Sequence, residues 1–349
     1  MTTISLVIPA YNEAGVIVGT VNELTEFMRA GMPSYSYEIV VVDDGSTDGM
    51  ADKLEQLTHP SLKVVRHKRN RGRGAGIRSG FAAATGDYVI TLDSDLSYAP
   101  DHIPRLIAPL ESGRADIVLA SAYHPEGVVR NVPFVRAKLS YYGNKVLSAG
   151  VNGQLHTLTY MVRAYRREVV QRLELVSEGK DLHIEIIQKA NMLGYRIAEI
   201  PATLDWRDKQ RAKRIGKGWR FPLLAMSGTI ASHLVYNYVL RPGSLLFLPV
   251  VLLSLVVLMG VFFLVYNWIS LIIQHWDLGV ATALYTALRE TLINGGLTLT
   301  VTGGSAFILF IFVAFYFQSH QSKKQFEELY ILLARMNDRI KDLERDRKP

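Results

Sequence analysis

Short apolar runs alternate with segments of helical spacing along residues 1–121. Five runs rich in β-branched residues predict strands, at residues 4–9, 38–42, 63–66, 87–92 and 117–121. Three segments that mix polar and apolar positions predict helices, at residues 13–28, 48–57 and 78–84. This alternation of strands and helices predicts a doubly wound α/β sheet.

The second half of the chain becomes far more apolar. An amphipathic pattern at 135–147 and a helix at 182–193, leading into a strand at 196–200, continue the folded domain. Residues 242–274 and 291–319 contain no Asp, Glu, Lys or Arg. Each run exceeds the about 20 residues that a helix needs to cross a bilayer. Membrane spans are therefore predicted at about 245–269 and 297–317, and an amphipathic helix at the membrane surface at 221–238.

The basic residues around the spans predict their orientation. Arg241 precedes the first span and Lys323 and Lys324 follow the second, whereas the connector holds one arginine, Arg289. Positive residues favour the cytosolic side, so both chain ends are predicted to be cytoplasmic in a multi-pass protein of the inner membrane. The chain start also lacks the basic stretch and long apolar run of a signal peptide.

The predicted organisation has four parts. A cytosolic α/β domain is followed by a membrane-surface segment, two spans with a short connector, and a C-terminal helix, at residues 1–220, 221–241, 242–319 and 320–349. Six apolar residues in the last part recur at alternating spacings of three and four: Phe326, Leu329, Leu333, Met336, Ile340 and Leu343. This heptad seam predicts either a coiled coil between protomers, and hence a homo-oligomer, or packing on the same chain's domain.

Charge and cysteine content exclude several classes of function. The chain has a net charge of +7 and no cysteine, which excludes disulfides, zinc–thiolate centres and cysteine nucleophiles. Residues 207–220 hold seven basic side chains against one acidic side chain. Because this stretch adjoins the predicted membrane segment and lacks a series of aromatic residues on which bases could stack, it favours anionic lipid or phosphate ligands over nucleic acid.

Two carboxylates, Asp93 and Asp95, follow the predicted strand at residues 87–92. Side chains two residues apart can both turn toward one ion once the chain leaves the sheet, and their hard oxygen atoms suit Mg²⁺ or Mn²⁺. The diphosphate of a sugar nucleotide would complete the coordination shell, and the ion would neutralise charge on the departing nucleoside diphosphate. The alternative is a polar turn with a helix cap.

Four polar motifs occur in order, each at the end of a predicted strand or in the loop after it. They are Ile8-Pro9-Ala10-Tyr11-Asn12-Glu13, Asp43-Asp44-Gly45-Ser46-Thr47-Asp48, Asn70-Arg71-Gly72-Arg73-Gly74 and Asp93-Ser94-Asp95. Together they resemble the GT-A nucleotide-sugar glycosyltransferases, and specifically the polyprenyl-phosphate glycosyltransferases such as dolichol-phosphate mannose synthase. The resemblance covers roughly residues 4–215 and implies a GT-A catalytic domain that binds a nucleotide-sugar donor.

The resemblance also implies which residues would bind the donor. Five residues match the family positions that hold the base and ribose: Pro9, Tyr11, Glu13, Asp43 and Asp44. Arg71 and Arg73 fall in the loop that closes over the nucleotide, and Asp93 and Asp95 match the site of the metal and diphosphate.

Further matches concern the acceptor. Arg163 matches an arginine that binds the acceptor phosphate, although Thr157 stands where that segment of the family usually begins with Asp. Glu185 matches an acidic position on the helix that follows, and Arg207 and Lys213 resemble the family's basic loop after the last strand. The implied partners are a nucleotide-sugar donor, a polyprenyl-phosphate acceptor and the membrane.

These matches predict a single inverting displacement at the anomeric carbon of the sugar. A phosphate acceptor is already anionic and needs positioning, which Arg163, Arg207 and Lys213 would provide. A lipid hydroxyl is the alternative acceptor and would need a carboxylate base, with Asp181 or Glu185 as the candidates. A non-catalytic oligomeric scaffold is the alternative from another class, and processive polysaccharide synthases are a weaker match.

Overall fold

The computed structural model describes residues 1–134, 137, 138, 140–142, 144, 155–206 and 242–346. The chain divides into two compact units, Met1–His233 together with Tyr330–Pro349, and Leu234–Leu329. Three sequence predictions fall wholly or partly outside the described residues. They concern the basic stretch 207–220 with Arg207 and Lys213, the surface helix at 221–238, and seven residues of the amphipathic segment at 135–147.

A seven-stranded sheet forms the centre of the first unit. In spatial order its strands are β3 (Leu62–Arg66), β2 (Ser36–Asp43), β1 (Thr3–Ala10), β4 (Tyr88–Thr91), β7 (Arg163–Arg166), β5 (Ile117–Ser121) and β8 (Ile197–Pro201). All neighbours are parallel except that β7 runs antiparallel to both β4 and β5. A separate parallel pair consists of β6 (Val128–Arg130) and β9 (Thr203–Asp205). The predicted α/β sheet is therefore confirmed.

Helices cover both faces of this sheet. Those described in the first unit are α1 (Ile17–Gly31), α2 (Met50–Glu55), α3 (Arg73–Ala83), α4 (His102–Glu111), α5 (Arg167–Arg172) and α6 (Leu182–Met192). In β1, Leu6 and Ile8 pack with residues of α1 and α4, whereas Val7 packs on the opposite face with residues of α3 and α6. Burial on both faces explains why the strands are continuous apolar runs in the sequence.

Helix α3 begins at Arg73, five residues before the predicted start at residue 78. The first two turns contain Gly74, Gly76 and Gly80, which hide the helical pattern of apolar positions. Their lack of a side chain lets the helix lie close to the sheet: a Cβ atom on Gly80 would collide with Val7, and one on Gly76 would meet Pro9 at 3.0 Å. The glycines that resemble a loop in the sequence are therefore the packing surface of a helix.

The second unit is helical where the structure describes it. It contains α7 (Pro242–Gln274), a 3₁₀ turn (Trp276–Leu278), α8 (Val280–Asn294) and the first part of α9 (Gly296–Asp346). Two stretches, Pro249–Gln274 and Gly296–Asn337, are long and apolar enough to cross a membrane. At their point of contact, a Cβ atom on Gly260 would lie 3.0 Å from Cβ of Thr302. The predicted short connector is itself mostly helical.

The C-terminal part of α9 presents two different faces. On one face Tyr330 is buried, and Asn337 donates a hydrogen bond from Nδ2 to Oε1 of Glu174 at 2.8 Å. Directly beside them lie five of the seam residues, which are between 42% and 54% exposed: Phe326, Leu329, Leu333, Met336 and Ile340. The contact with the α/β domain therefore runs along the flank of the heptad seam and leaves these five seam residues about half exposed.

Candidate active site

Three of the four polar motifs meet at one edge of the sheet, because they follow the neighbouring parallel strands β2, β1 and β4. Hydrogen bonds join the first two motifs. The amide of Asn12 donates to Oγ of Ser46 at 2.9 Å, and Oδ1 of Asn12 accepts from the amide of Thr47 at 2.9 Å. Asn12 has a left-handed backbone, with φ of 55°, that allows both contacts. Carboxyl ends of parallel strands are the usual ligand edge of such sheets.

The residues expected near the base and ribose differ in accessibility. Tyr11 is 44% exposed, Pro9 and Glu13 are half-buried, and Asp43 is fully buried at the end of β2. Oδ1 of Asp43 accepts the amide of Ser46 at 2.9 Å, and its Oδ2 lies 3.4 Å from Nε of Arg66. Among the described residues, Oδ2 accepts no hydrogen bond. The carboxylate is thus fixed in direction and keeps an oxygen with acceptor capacity.

Asp44 holds the neighbouring loop. Its Oδ1 lies 2.7 Å from Nδ1 of His67 and accepts the amide of Arg71 at 2.9 Å, while its Oδ2 accepts the amide of Gly72 at 2.8 Å. Nε2 of His67 lies 2.8 Å from Oγ of Ser79 in α3. The buried carboxylate therefore connects the Asp-Asp motif to the loop that carries Arg71 and Arg73. In this structure the Asp44 carboxylate binds protein groups, whereas the resemblance implied that it would contact the nucleotide.

Asp93 and Asp95 lie just beyond β4 and are half-buried. Oδ1 of Asp95 accepts the amide and the hydroxyl of Ser97, at 3.1 and 2.7 Å. Oγ1 of Thr20 donates to the carbonyl of Ser94 at 2.6 Å, which ties this turn to α1. Within the described ranges no group of three or more His, Asp or Glu side chains could hold a metal ion. Two oxygen-donor side chains fit Mg²⁺ or Mn²⁺ only if a substrate provides further ligands.

Tyr98 lies on the buried side of the same turn. Burial raises the pKa of Tyr98 well above its ordinary value, and the neighbouring Tyr160 and Asp93 raise it further. Its ring is edge-on to the rings of Tyr160 and His102, at centroid distances of 5.8 and 5.9 Å. The phenol is therefore neutral at physiological pH, and its ring belongs to the hydrophobic core on the α1 and α4 side of the sheet.

A cavity of about 710 Å³ opens beside the Asp-Asp motif. It is lined by Arg66, His67, Lys68, Arg69, Asn70, Arg71 and Glu178. Glu178 provides its one carboxylate; Nη2 of Arg71 donates to Oε1 of Glu178 at 2.7 Å, and this contact lowers the pKa of Glu178. A concave surface lined by three arginines and a lysine is suited to a phosphate-bearing ligand.

Arg163 lies inside the domain, at the start of β7, and is fully buried. Its guanidinium donates to the carbonyl oxygens of Tyr160, His183 and Leu158, at 2.9, 2.8 and 2.6 Å. Burial lowers the pKa of Arg163 from its ordinary value. The expected contact with an acceptor phosphate is not provided by this arrangement, because the charged atoms bind backbone carbonyls and have no accessible surface.

Glu185 is also fully buried. Oε1 accepts the amide of Val176 at 2.9 Å and Nζ of Lys189 at 2.6 Å, and Oε2 accepts the amide of Ser177 at 2.9 Å. Burial alone would raise the pKa of Glu185, but these hydrogen bonds lower it below its ordinary value. A buried, ionised carboxylate with three donors is a poor proton acceptor for a substrate.

His67, Ser97, Tyr98 and Glu178 are neighbours of the site that the sequence prediction missed. His67 follows β3, whose carboxyl end lies at the same edge of the sheet, so the strand order would have been the signal. Ser97 and Tyr98 come two and three residues after Asp95. Glu178 gives no comparable signal, because its approach to Arg71 depends on tertiary contact between the segment before α6 and the start of α3.

Comparison with known proteins identifies the α/β unit. Residues 5–174 match the family model "Glycosyl transferase family 2". The chain is 32% identical over 218 residues to the dolichol-phosphate mannosyltransferase of Pyrococcus furiosus, covering 61% of this chain and 60% of that protein. It is 32% identical over 233 residues to the polyprenol monophosphomannose synthase of Mycolicibacterium smegmatis, covering 62% of this chain and 82% of the other.

A solved structure agrees at the level of the fold. The chain superimposes with a TM-score of 0.51 and 22% identity on glucosyl-3-phosphoglycerate synthase from Mycobacterium tuberculosis, covering 68% of this chain and 78% of that one. That structure contains Mn²⁺, uridine diphosphate and phosphoglyceric acid. This likeness and the resemblance in motifs agree with the sequence matches: the chain belongs to glycosyl transferase family 2, with a GT-A fold.

Proposed function

We propose that this protein transfers a sugar from a nucleotide-sugar donor to a polyprenyl phosphate, with inversion at the anomeric carbon. The observation that carries the proposal is the meeting of Tyr11, Asp43 and Asp93 at the carboxyl ends of three adjacent parallel strands. Relatives with matching sequences are a dolichol-phosphate mannosyltransferase and a polyprenol monophosphomannose synthase. The second unit contains helices that are long and apolar enough to cross a membrane, which suits a lipid acceptor.

The donor would lie along this edge. Pro9, Tyr11, Glu13 and the unused acceptor capacity of Asp43 would bind base and ribose, and Arg71 and Arg73 would close over the nucleotide. Asp93 and Asp95 would hold a divalent cation, as Mn²⁺ and Mg²⁺ occur with uridine diphosphate in the structural neighbours. When bound, such an ion supplies positive charge that stabilises the leaving diphosphate. Ser97 fixes one carboxylate of this pair in direction.

Attack by the acceptor depends more on the positioning of its phosphate than on proton transfer. A phosphate monoester is anionic at neutral pH, so its oxygen atom needs only to be held opposite the leaving group. Arg207 and Lys213 are proposed to hold it, while Arg163 orders the segment from Leu158 to Tyr160 through its two contacts with the carbonyls of those residues. With a lipid hydroxyl as acceptor, Asp181 would remain the candidate base, because Glu185 is engaged by three donors.

The orientation is part of the proposal. The catalytic domain and both chain ends would lie in the cytoplasm, with the spans in the inner membrane, because the basic residues flank the spans on the side of the chain ends. Such tethering would raise the effective concentration of a lipid substrate at the site.

A direct assay tests this function. The purified protein is incubated with polyprenyl phosphate or polyprenol, a panel of nucleotide sugars and Mn²⁺, and the lipid product is weighed by mass spectrometry. We expect a polyprenyl-phosphate sugar whose formation stops on adding a chelator. Product from polyprenol alone would support the hydroxyl acceptor, and the absence of metal-dependent binding of any nucleoside diphosphate would support a non-catalytic scaffold.

We further propose that the seam of α9 pairs with a second copy of this chain. Leu333, Met336 and Ile340 are about half exposed, whereas Tyr330 and Asn337 face the α/β unit.

Replacing Leu333 and Met336 together by Glu is expected to turn the oligomer into a monomer. Losing two buried apolar side chains and adding charge should weaken association at least about a hundredfold. Mass photometry of detergent-solubilised protein gives the measurement, with Arg335→Ala, outside the seam, as the control. An unchanged mass distribution for the double variant would contradict the proposed pairing.

A further inference from the structure

Three consecutive residues, Val176, Ser177 and Glu178, hold the loop that is proposed to close over the donor; we call them the strap. The carbonyl of Glu178 accepts the amides of Gly74 and Ala75, the first turn of α3, at 2.8 and 3.3 Å. Two arginines also bind the strap: Arg71 pairs with the carboxylate of Glu178 at 2.7 Å, and Nη1 of Arg78 donates to the carbonyl of Val176 at 3.0 Å. The strap thus binds the Arg71 side chain of the loop, together with backbone and side-chain groups at the start of α3.

The contact between strap and loop is close. A Cβ atom on Gly72, where φ is +99°, would lie 2.5 Å from the carbonyl oxygen of Glu178. One on Gly74 would lie 2.7 Å from the carbonyl oxygen of Ser177. Backbone packs against backbone here without intervening side chains, so a shift of the strap must move the loop.

The strap is fixed in turn by a buried ion pair. Glu185 accepts the amides of Val176 and Ser177 and pairs with Lys189 at 2.6 Å. The Lys189 ammonium group also donates to the carbonyl of Glu174, and it lies 5.2 Å from the centre of the Tyr330 ring. Both side chains of the pair are almost completely buried. A buried pair of this kind is sensitive to the loss of either partner, because the remaining charge is left without its counterion.

We infer that Glu185 and Lys189 are positioning residues for the donor site, which act through the strap on the loop from Arg71 to Gly74. This assignment rests on the proposed function, since it takes that loop as part of the donor site. It gives Glu185 a role other than that of a catalytic base. The C-terminal helix contributes to the same network, because Tyr330 covers Lys189.

The pair allows a test that separates positioning from proton transfer. Glu185→Gln leaves the Lys189 ammonium group buried without a carboxylate, and Lys189→Met leaves the Glu185 carboxylate without its ammonium partner. Each single variant is expected to raise KM for the donor about tenfold with little change in kcat, which is the pattern of lost binding. The double variant Glu185→Gln with Lys189→Met contains neither charge and is expected to recover most of the donor affinity.

A catalytic base would give the opposite result. The double variant lacks a carboxylate at position 185, so kcat would stay low in it as in Glu185→Gln, while donor binding would be normal in both. That outcome would overturn the inference.

A second pair of variants keeps the test valid if the charge variants do not fold. Val176→Pro removes the amide that donates to Glu185, whereas Val176→Ala keeps it, and the Val176 side chain is 69% exposed. Calorimetry with uridine and guanosine diphosphates and Mn²⁺ is expected to show affinity about tenfold weaker for Val176→Pro than for Val176→Ala. Equal affinities for the two variants would overturn the inference while leaving the proposed function intact. A wild-type protein that binds neither nucleotide would overturn both.

Discussion

Asp93→Asn and Asp95→Asn are each expected to lower sugar transfer by about 100- to 1,000-fold, because the amide lacks the negative charge that holds a divalent cation. The loss should fall mainly on kcat, since the charge that develops on the departing diphosphate is greatest in the transition state. The two half-buried carboxylates follow β4 directly, so replacing either should leave the sheet intact. Radiolabel transfer to lipid at saturating donor measures the effect.

The matched control is Asp101→Asn. This carboxylate immediately precedes α4, and its side chain is 74% exposed. Its Oδ1 lies 2.9 Å from Nδ1 of His102, and the residue follows Asp95 by six positions. Activity within about twofold of wild type is expected, because substitutions of exposed side chains outside special structural features have little effect. A Mn²⁺ titration adds a second reading: the motif variants should need more metal for half-maximal activity. If they kept the wild-type rate and metal requirement, the proposed metal site would be wrong.

Gly45→Ala is expected to destabilise the α/β unit by about 3 kcal/mol and to abolish tight nucleotide binding. Gly45 has φ of +74°, and a Cβ atom there would lie 2.7 Å from the backbone nitrogen of Asn70. The alanine would therefore be strained in its own backbone and would push the loop at Asn70 away from the Asp-Asp motif. Differential scanning fluorimetry and calorimetry with a nucleoside diphosphate give the two measurements.

Gly49→Ala separates the two causes. Gly49 also has a left-handed backbone, with φ of +79°, but no atom lies within 4 Å of a Cβ atom placed there. Only the backbone strain remains, so a loss of about 1 kcal/mol with normal nucleotide affinity is expected. Equal effects of the two substitutions would mean that contact with the Asn70 loop is unimportant.

The sequence predicted the parallel half of the sheet well, because those strands are buried on both faces. The run at 117–121 coincides with β5, and the others differ from the strands by one or two residues at their ends. Strand β7 was missed because it holds two arginines in four residues. Arg163 can be buried there only because three backbone carbonyls accept hydrogen bonds from its guanidinium group. The carbonyl of His183 is 20 residues away in the sequence, and no local sequence pattern reveals such a partner.

For the candidate site, the sequence placed the motifs at the correct edge of the sheet but could not assign the contacts within it. Because the motifs follow the ends of predicted strands, the sequence predicted that Asp44 and Asp93 would approach a ligand. Only the structure reveals that the Asp44 carboxylate accepts the amides of Arg71 and Gly72, and that the Glu185 carboxylate accepts those of Val176 and Ser177. These are contacts to backbone amides, which every residue type except proline possesses, so they leave almost no trace in side-chain identity.

The position of β7 between β4 and β5 affects how the chain can be made on the ribosome. Strands β4 and β5 emerge first and point the same way, so they could join each other directly before β7 exists. At about 5–20 residues per second, several seconds pass before Arg163 is added. During that interval the nascent sheet either exposes an apolar edge or contains a premature pairing of β4 with β5 that must be undone. This interval would be the stage at which the nascent chain most needs a chaperone.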